Sequence, residues 1–302
     1  MNVAFLGTTR FGLRCLEALA RLPDCRLVGA IAAPPTFPIS YRPEGVTNVL
    51  HADVPAFCEA NGLPCLLVRD GMRDEGLLGE VERWRPQALV VAGWFHMLPK
   101  KWRDLAPAYG LHASLLPDYS GGAPLVWAMI NGERRTGITL FQLAGGVDDG
   151  PIVGQAATDI SADDTIGTLY ARIETLGVAL LEQHVPLLAQ GRARLEPQDE
   201  RLRRTFPQRG PEDGLIDWTW PAARIHDFVR AQTRPYPGAF TRLGQTRVTV
   251  WATRLTDDAP LLALGEYAGR DGRLFAGAGV GALELLEVEA VGERLGAGGR
   301  FG

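Results

Sequence analysis

The sequence predicts an α/β protein: a doubly wound, mostly parallel sheet, followed by a smaller, mainly-β domain. Three features carry this reading. Short apolar runs alternate with helical patterns over the first two-thirds of the chain, the order that builds parallel sheets. The run ALVVA at 88–92 is uniformly apolar, as a strand covered on both faces should be. Beyond residue 200, Pro and Gly become frequent and the remaining apolar runs are short, with β character.

Taken in order, residues 3–6 form a strand, and 11–22 (FGLRCLEALARL) carry apolar residues at helical spacing. A second strand follows at 27–32. Residues 34–47 hold four prolines and read as an irregular loop of the kind that serves a site. A helix at 54–60, a strand at 65–68, a helix at 77–84 and the strand at 88–92 come next. Strands are expected near 111–114, 137–143 and 152–157, and a long helix at 166–188 closes this part. The second part has a helix at 222–231 and β runs at 246–252 and 282–288. The expected organisation is one domain over 1–200, a linker at 201–213 and a β-rich domain over 214–302. There is no internal repeat.

Composition narrows the function. At 302 residues, 46% hydrophobic and 22% charged, the chain is neither disordered nor a disulfide-stapled mini-protein. Its longest near-unbroken apolar run, 88–95, falls far short of the ~20 residues that span a bilayer. No basic leader precedes the first strand, so a cytoplasmic protein without a membrane span is expected. Cys15, Cys25, Cys58 and Cys65 form no CxxC pair, and no metal site is expected. A net charge of -4 supplies no global field for nucleic acid. The stretch 201–255 nevertheless holds ten Arg against four acidic residues. A solvated face explains it more simply than a phosphate-facing patch does.

Open parallel sheets bind ligands beyond the C-terminal ends of their strands. The first such loop, Gly7 to Gly12 (GTTRFG), is not a GxGxxG fingerprint. The dense constellation lies at 109–124 (YGLHASLLPDYSGGAP) and 145–150 (GGVDDG). Positions 110 and 112 share one face of a strand. His112 stands at the strand end, and Asp148 lies in a Gly-rich turn from which it could reach the imidazole. His51, His96, His184 and His226 sit in no metal-ligand spacing.

These residues resemble the 10-formyltetrahydrofolate-dependent formyltransferases, whose motif is Asn-x-His-x-Ser-Leu-Leu-Pro, then a Gly-rich turn with Ala-Pro, and later an Asp in a short turn. His112, Ser114, Leu115, Leu116, Pro117, Ala123, Pro124 and Asp148 fall on that pattern, and 136–140 (TGITL) matches the strand between its halves. Further on, Ile216, Asp217, Trp218, His226 and 235–240 (PYPGAF) resemble the second domain of methionyl-tRNA formyltransferase and of UDP-4-amino-4-deoxy-L-arabinose formyltransferase. The resemblance spans essentially the whole chain. It implies a Rossmann-like formyltransferase domain, an OB-like C-terminal domain, and transfer of a formyl group from 10-formyltetrahydrofolate to a primary amine.

In that chemistry the amine attacks unprotonated, charge builds on the formyl oxygen, and the folate nitrogen gains a proton to leave. The resemblance makes His112 and Asp148 the catalytic pair. It places the pterin against Phe95, His96, Met97 and Leu98 and against Gly145, Gly146 and Val147. Thr9, Arg10, Ser114, Arg204 and Arg209 are the candidates for holding the acceptor. Two positions depart from the pattern: Gly110 replaces the family's Asn, and Ser120 its usual Arg. Losing a donor such as that Asn typically costs ~10²–10³ in rate. Three readings of Gly110 stay open in the sequence: a neighbouring group or water stands in for the amide, the substrate differs, or catalysis is weakened.

The acceptor is expected to be a small amine. A methionyl-tRNA formyltransferase carries a basic first-domain loop, whereas 34–54 here has Arg42 as its only cation beside Glu44 and Asp53. Phosphate contacts dominate RNA binding and need several cations. Residues 125–132 (LVWAMING) and the linker 205–213 are closer to the amino-sugar enzyme. A nucleotide-linked amino sugar is therefore the expected partner, with initiator tRNA as the alternative. A homo-oligomer is compatible with the sequence.

Overall fold

The computed structural model describes residues 1–39, 42–69, 71–290 and 295–302. In chain order these form β1 (Asn2–Leu6), α1 (Arg10–Arg21), β2 (Arg26–Ala32), β3 (Thr36–Ile39), β4 (Arg42–Thr47), α2 (Val54–Ala60), β5 (Cys65–Leu67), α3 (Glu75–Arg83), β6 (Ala88–Val91), α4 (Lys100–Leu105), β7 (Ala108–His112), β8 (Ser120–Gly121), α5 (Pro124–Ile130), β9 (Arg135–Gln142), β10 (Ile152–Asp159), α6 (Ile166–Ala189) and β11 (Thr205–Phe206). They continue with α7 (Ala222–Arg230), β12 (Ala239–Leu243), β13 (Thr246–Thr256), β14 (Glu266–Arg270), β15 (Arg273–Gly277), β16 (Ala282–Ala290) and β17 (Gly298–Arg300). Two compact units divide the chain. The first comprises Met1–Ser120, Gly137–Thr158 and Arg172–Thr205; the second comprises Gly121–Thr136, Asp159–Ala171 and Phe206–Gly302.

The first unit is built on a seven-stranded sheet ordered β10-β9-β7-β6-β1-β2-β5. β5, β2, β1, β6 and β7 run parallel, and β9 joins β7 antiparallel. Val3, Ala4, Phe5 and Leu6 of the central strand are wholly buried, which explains why that stretch is apolar at successive positions rather than at alternate ones. The chain winds outward through β2 and β5, then returns to the other side of β1 at β6. Open α/β sheets bind ligands at such a reversal, beyond the C-terminal strand ends, and the loops after β1, β6 and β7 emerge there. α1 starts where Thr9 Oγ accepts the Gly12 amide at 3.1 Å, a side-chain cap for one otherwise unpaired helix donor.

The second unit holds a six-stranded sheet ordered β12-β13-β16-β15-β14-β17, antiparallel at each of its pairings. α7 packs on β13 and also against α5. Phe301 stacks between Trp218 and Tyr267, with ring centroids 5.2 and 4.5 Å away.

Two expectations are revised. Residues 34–47 are not irregular: Thr36 pairs with Thr47 and Phe37 with Val46 in a β3–β4 hairpin, whose register shifts between Phe37 and Ile39. Pro38, which has no N–H to donate, falls at that irregularity, where a strand tolerates it. Ser40 and Tyr41, and the side chains of Arg42 and Glu44, lie outside the described residues. The strand expected at 111–114 is Ala108–His112, and it ends where the Ser114 amide turns back to the His112 carbonyl at 2.9 Å. Among the described residues, no helix is long and apolar enough to cross a membrane.

Candidate active site

β7 delivers Gly110 and His112 to one face of the sheet, two residues apart. In the antiparallel ladder with β9, Gly110 lies opposite Phe141 and His112 opposite Thr139. His112 Nε2 is 2.8 Å from the carbonyl oxygen of Tyr119. A carbonyl only accepts, so Nε2 carries the proton and donates it. Nδ1 then presents its lone pair on the far side of the ring, 3.5 Å from Asp148 Oδ2. The two side chains are 12% and 20% exposed, so little water screens them from each other. A lone pair and a carboxylate thus converge on one point, the geometry of a proton acceptor for a donor placed between them.

Asp148 reaches this position with φ at 52°, a left-handed conformation that Asp adopts more readily than most residues. Gln198 Nε2 donates to the carbonyls of both Asp148 and Gly150, each at 2.7 Å. On the other side of the ring, the turn after β7 is held by Ser114 Oγ, which donates to the Asp118 carbonyl at 2.7 Å. Arg204 grips the Asp118 carboxylate through two hydrogen bonds of 2.7 and 2.6 Å and lies over the Tyr119 ring. Ser120, where the family pattern has Arg, is fully buried and pairs its hydroxyl with that of Thr205 at 2.9 Å.

The space beside Gly110 is filled. A Cβ placed there would lie 2.8 Å from Leu143 Cδ2 and 3.3 Å from Phe141 Cε1. Apolar side chains from the end of β9 and just beyond it occupy the volume into which a larger residue would project.

The loop after β6 gathers aromatic rings. Phe37 lies 5.5 Å from Phe95 and 5.2 Å from His96, and Trp94 lies 5.3 Å from His96, centroid to centroid. Trp94 Nε1 and His96 Nε2 are buried without a hydrogen-bond partner among the described residues, an arrangement that costs free energy until something pairs them. Burial also lowers the His96 pKa. Phe95, Met97 and Val147 remain substantially exposed, while Leu98 is buried in the core. Exposed flat apolar faces beside unsatisfied polar nitrogens fit a planar heterocycle with a hydrogen-bonding edge.

The remaining residues expected to meet a ligand have varied placements. Thr9 is buried as the α1 cap. Arg10 is largely exposed, 3.8 Å from the buried Glu174, which also holds Arg14 at 3.0 Å. In the second unit, Arg209 lies over the Trp127 and Phe228 rings and donates to Gln232 and to the Asp213 carbonyl. Most of the arginine-rich stretch is engaged internally. Arg201, Arg203, Arg204, Arg230, Arg234 and Arg254 each pair with a carboxylate, and Arg224 and Arg247 lie over aromatic rings. Sequence reasoning missed Tyr119, Gln198 and Arg203. Among the described residues, no group of three or more His, Cys, Asp or Glu side chains converges to hold a metal.

Comparison with known proteins bears on the family. Residues 2–185 match the family model described as formyl transferase, and 209–297 match the formyl transferase C-terminal domain. The chain is 37% identical over 294 residues to the methionyl-tRNA formyltransferase of Anaeromyxobacter dehalogenans, covering 95% of this chain and 90% of that one. It is 34% identical over 300 residues to that of Citrifermentans bemidjiense, covering 97% and 90%. Among solved structures, an N-formyltransferase from Helicobacter canadensis in complex with folinic acid and dTDP-3-aminofucose superposes with a TM-score of 0.71 at 14% identity, covering 94% and 98%. At that identity the likeness is one of fold.

Proposed function

The chain belongs to the formyl transferase family, and on that footing we propose that it moves a formyl group from 10-formyltetrahydrofolate to the primary amine of a small acceptor, a nucleotide-linked amino sugar. The observation that carries the transfer chemistry is the His112–Asp148 pair, whose facing acceptor atoms lie 3.5 Å apart at the end of β7.

The folate, when bound, supplies the activated formyl carbon. Trp94 Nε1 and His96 Nε2 are the groups fitted to its heterocycle edge, with Phe95, Met97, Leu98 and the 145–147 turn alongside. The protein's own work is then proton handling. Nε2, committed to the Tyr119 carbonyl, keeps the ring oriented, and Nδ1 with Asp148 receives the proton that the neutral amine's nitrogen sheds once it has bonded to the formyl carbon, a proton then available to the folate nitrogen as its bond to that carbon breaks. The imidazolium so formed stabilises negative charge developing beside it.

The acceptor class rests on electrostatics. The 36–47 segment has Arg42 as its single cation, and most arginines of 201–255 already pair with carboxylates or rings of the chain itself, several of them at the surface. An RNA backbone would have to compete for those partners. The methionyl-tRNA reading is favoured by the 37% identity to a methionyl-tRNA formyltransferase over 95% of the chain. Mass spectrometry after incubation with 10-formyltetrahydrofolate separates the two. Formylated amino-sugar nucleotide, with no formyl-methionyl-tRNA, is the expected result. Formylated initiator tRNA, bound with a steep salt dependence, would overturn the acceptor assignment. No formyl product on any amine would overturn the transfer itself.

A further inference from the structure

Both partners of the His112 ring are held by one short segment that the transfer chemistry does not use. Residues 196–204 begin on an isolated bridge to the sheet edge, where Glu196 and Ile152 exchange two backbone hydrogen bonds of 2.8 Å. The segment then crosses the 147–150 turn. There Gln198 donates from its amide nitrogen to the carbonyls of Asp148 and Gly150, and its own oxygen accepts from Arg203 Nη2 at 3.0 Å. That contact fixes which way the amide points, because an arginine only donates. Arg203 also donates to the Val147 carbonyl at 3.4 Å, and Glu200 holds it in place. Next along the chain, Arg204 fixes the Asp118–Tyr119 turn whose carbonyl takes the Nε2 proton. All of this lies within the first unit.

We propose that Gln198, oriented by Arg203, is a positioning residue: it holds Asp148 in its left-handed conformation with the carboxylate facing His112 Nδ1. Without the strap, a turn rich in glycine and aspartate loses the two amide donations that tie its carbonyls to the segment crossing it. The backbone then relaxes from φ 52°, and the carboxylate leaves the ring. This inference rests on the reading of His112 and Asp148 given above, and the test separates the two.

Formyl transfer is measured for the wild type, Asp148→Asn, Gln198→Ala, Gln198→Glu and the double variant Asp148→Asn/Gln198→Ala, with the melting temperature of each. Both single Gln198 variants should lose about tenfold to a hundredfold in kcat, the scale of an ångström's misplacement, with KM for the folate donor within about twofold. Gln198→Glu keeps the length of the side chain but cannot donate to two carbonyls, so it should not rescue the loss. Because Gln198 acts through Asp148, removing it from the Asp148→Asn protein should cost less than about twofold further in kcat. A Gln198→Ala protein with wild-type kcat while Asp148→Asn is slow overturns the positioning role and leaves the pair intact, whether or not its melting temperature falls. Losses that multiply in the double variant overturn it too, because Gln198 would then act independently of Asp148. An Asp148→Asn protein as fast as the wild type would overturn the pair and the strap together.

Discussion

Restoring the family's amide at position 110 is expected to harm this protein rather than improve it. Gly110 sits mid-strand in β7, with Leu143 and Phe141 lying where its side chain would be: a Cβ would come within 2.8 Å of Leu143 Cδ2 and 3.3 Å of Phe141. The first contact is with the end of a flexible, partly buried side chain, which can swing aside. The second is with a ring that is 2% exposed and has little room. Overpacking of a filled site costs about 1–3 kcal/mol, while replacing a strand glycine recovers about 0.5–1 kcal/mol of backbone entropy. Gly110→Ala should therefore be within about 1 kcal/mol of neutral, and Gly110→Asn about 1–2 kcal/mol less stable. At about 2–4 °C per kcal/mol for a domain of this size, differential scanning calorimetry would detect the larger loss easily. The amide, wedged among apolar groups, gains no access to a formyl oxygen, so kcat should not rise. Shortening the obstacle with Leu143→Ala in the same chain should relieve the strain, giving a coupling of opposite sign to the single losses. A Gly110→Asn protein with unchanged melting and a roughly tenfold faster transfer, the lower end of what one such donor is worth, would refute the reasoning.

Three further outcomes follow from named contacts. His112→Asn and Asp148→Asn should each lower kcat by about 10²–10⁴-fold, the range of general acid–base catalysis, with melting little changed because Asn also tolerates the left-handed backbone at 148; activity and calorimetry on the same preparations check both halves. Ser114→Ala should lower stability by about 1–3 kcal/mol in urea unfolding, since the part-buried Asp118 carbonyl loses its donor, while KM for the acceptor stays the same. His226 has its pKa lowered by burial and then by Arg230, and His184 by burial. Protonation therefore favours the unfolded chain: the stability these two contribute is complete above their ordinary value of 6.5 and falls as pH drops below it. Unfolding in urea at mildly acidic and at neutral pH would show that slope, and a flat profile would refute it.

Elements whose pattern matches their burial were legible in the sequence. β1 and β6 read as covered strands because their apolar residues are consecutive, and α1 and α3 as helices because their buried residues recur on one face. The β3–β4 hairpin was hidden because Pro38 interrupts its ladder and breaks the alternation. α5 is seven residues, all of them apolar, too short and too uniform to show a helical period. In the site, His112 and Asp148 stood out through their motif. Gln198 and Arg203 did not, because they act on a turn some fifty residues earlier in the chain and a polar linker has no periodicity to betray it. Gly110 was visible as a departure, but its consequence needed the register with β9 that brings Phe141 and Leu143 over it. Thr9 and Ser114 looked like ligand groups. The structure engages their hydroxyls as a helix cap and a turn clasp, the use that small hydroxyl side chains most often find near chain reversals.

In the proposed mechanism the tasks of the retained pair and of the missing amide are separable, and that separation decides how a deficit at Gly110 would look. Nε2 of His112 is spent on the Tyr119 carbonyl, so the ring meets the reaction only through Nδ1 and Asp148, a proton-accepting arrangement. A hydrogen-bond donor to the formyl oxygen is a different requirement, and it does not titrate. Losing it scales the rate by the same factor at every pH. Losing the carboxylate removes one of the two groups that receive the amine's proton. If Gly110 makes this enzyme slow on its true acceptor, His112→Asn and Asp148→Asn should each slow it further by the factor expected of an intact pair. Variants no slower than the wild type would instead place the fault in the pair. The transfer chemistry would then have to be carried by groups other than His112.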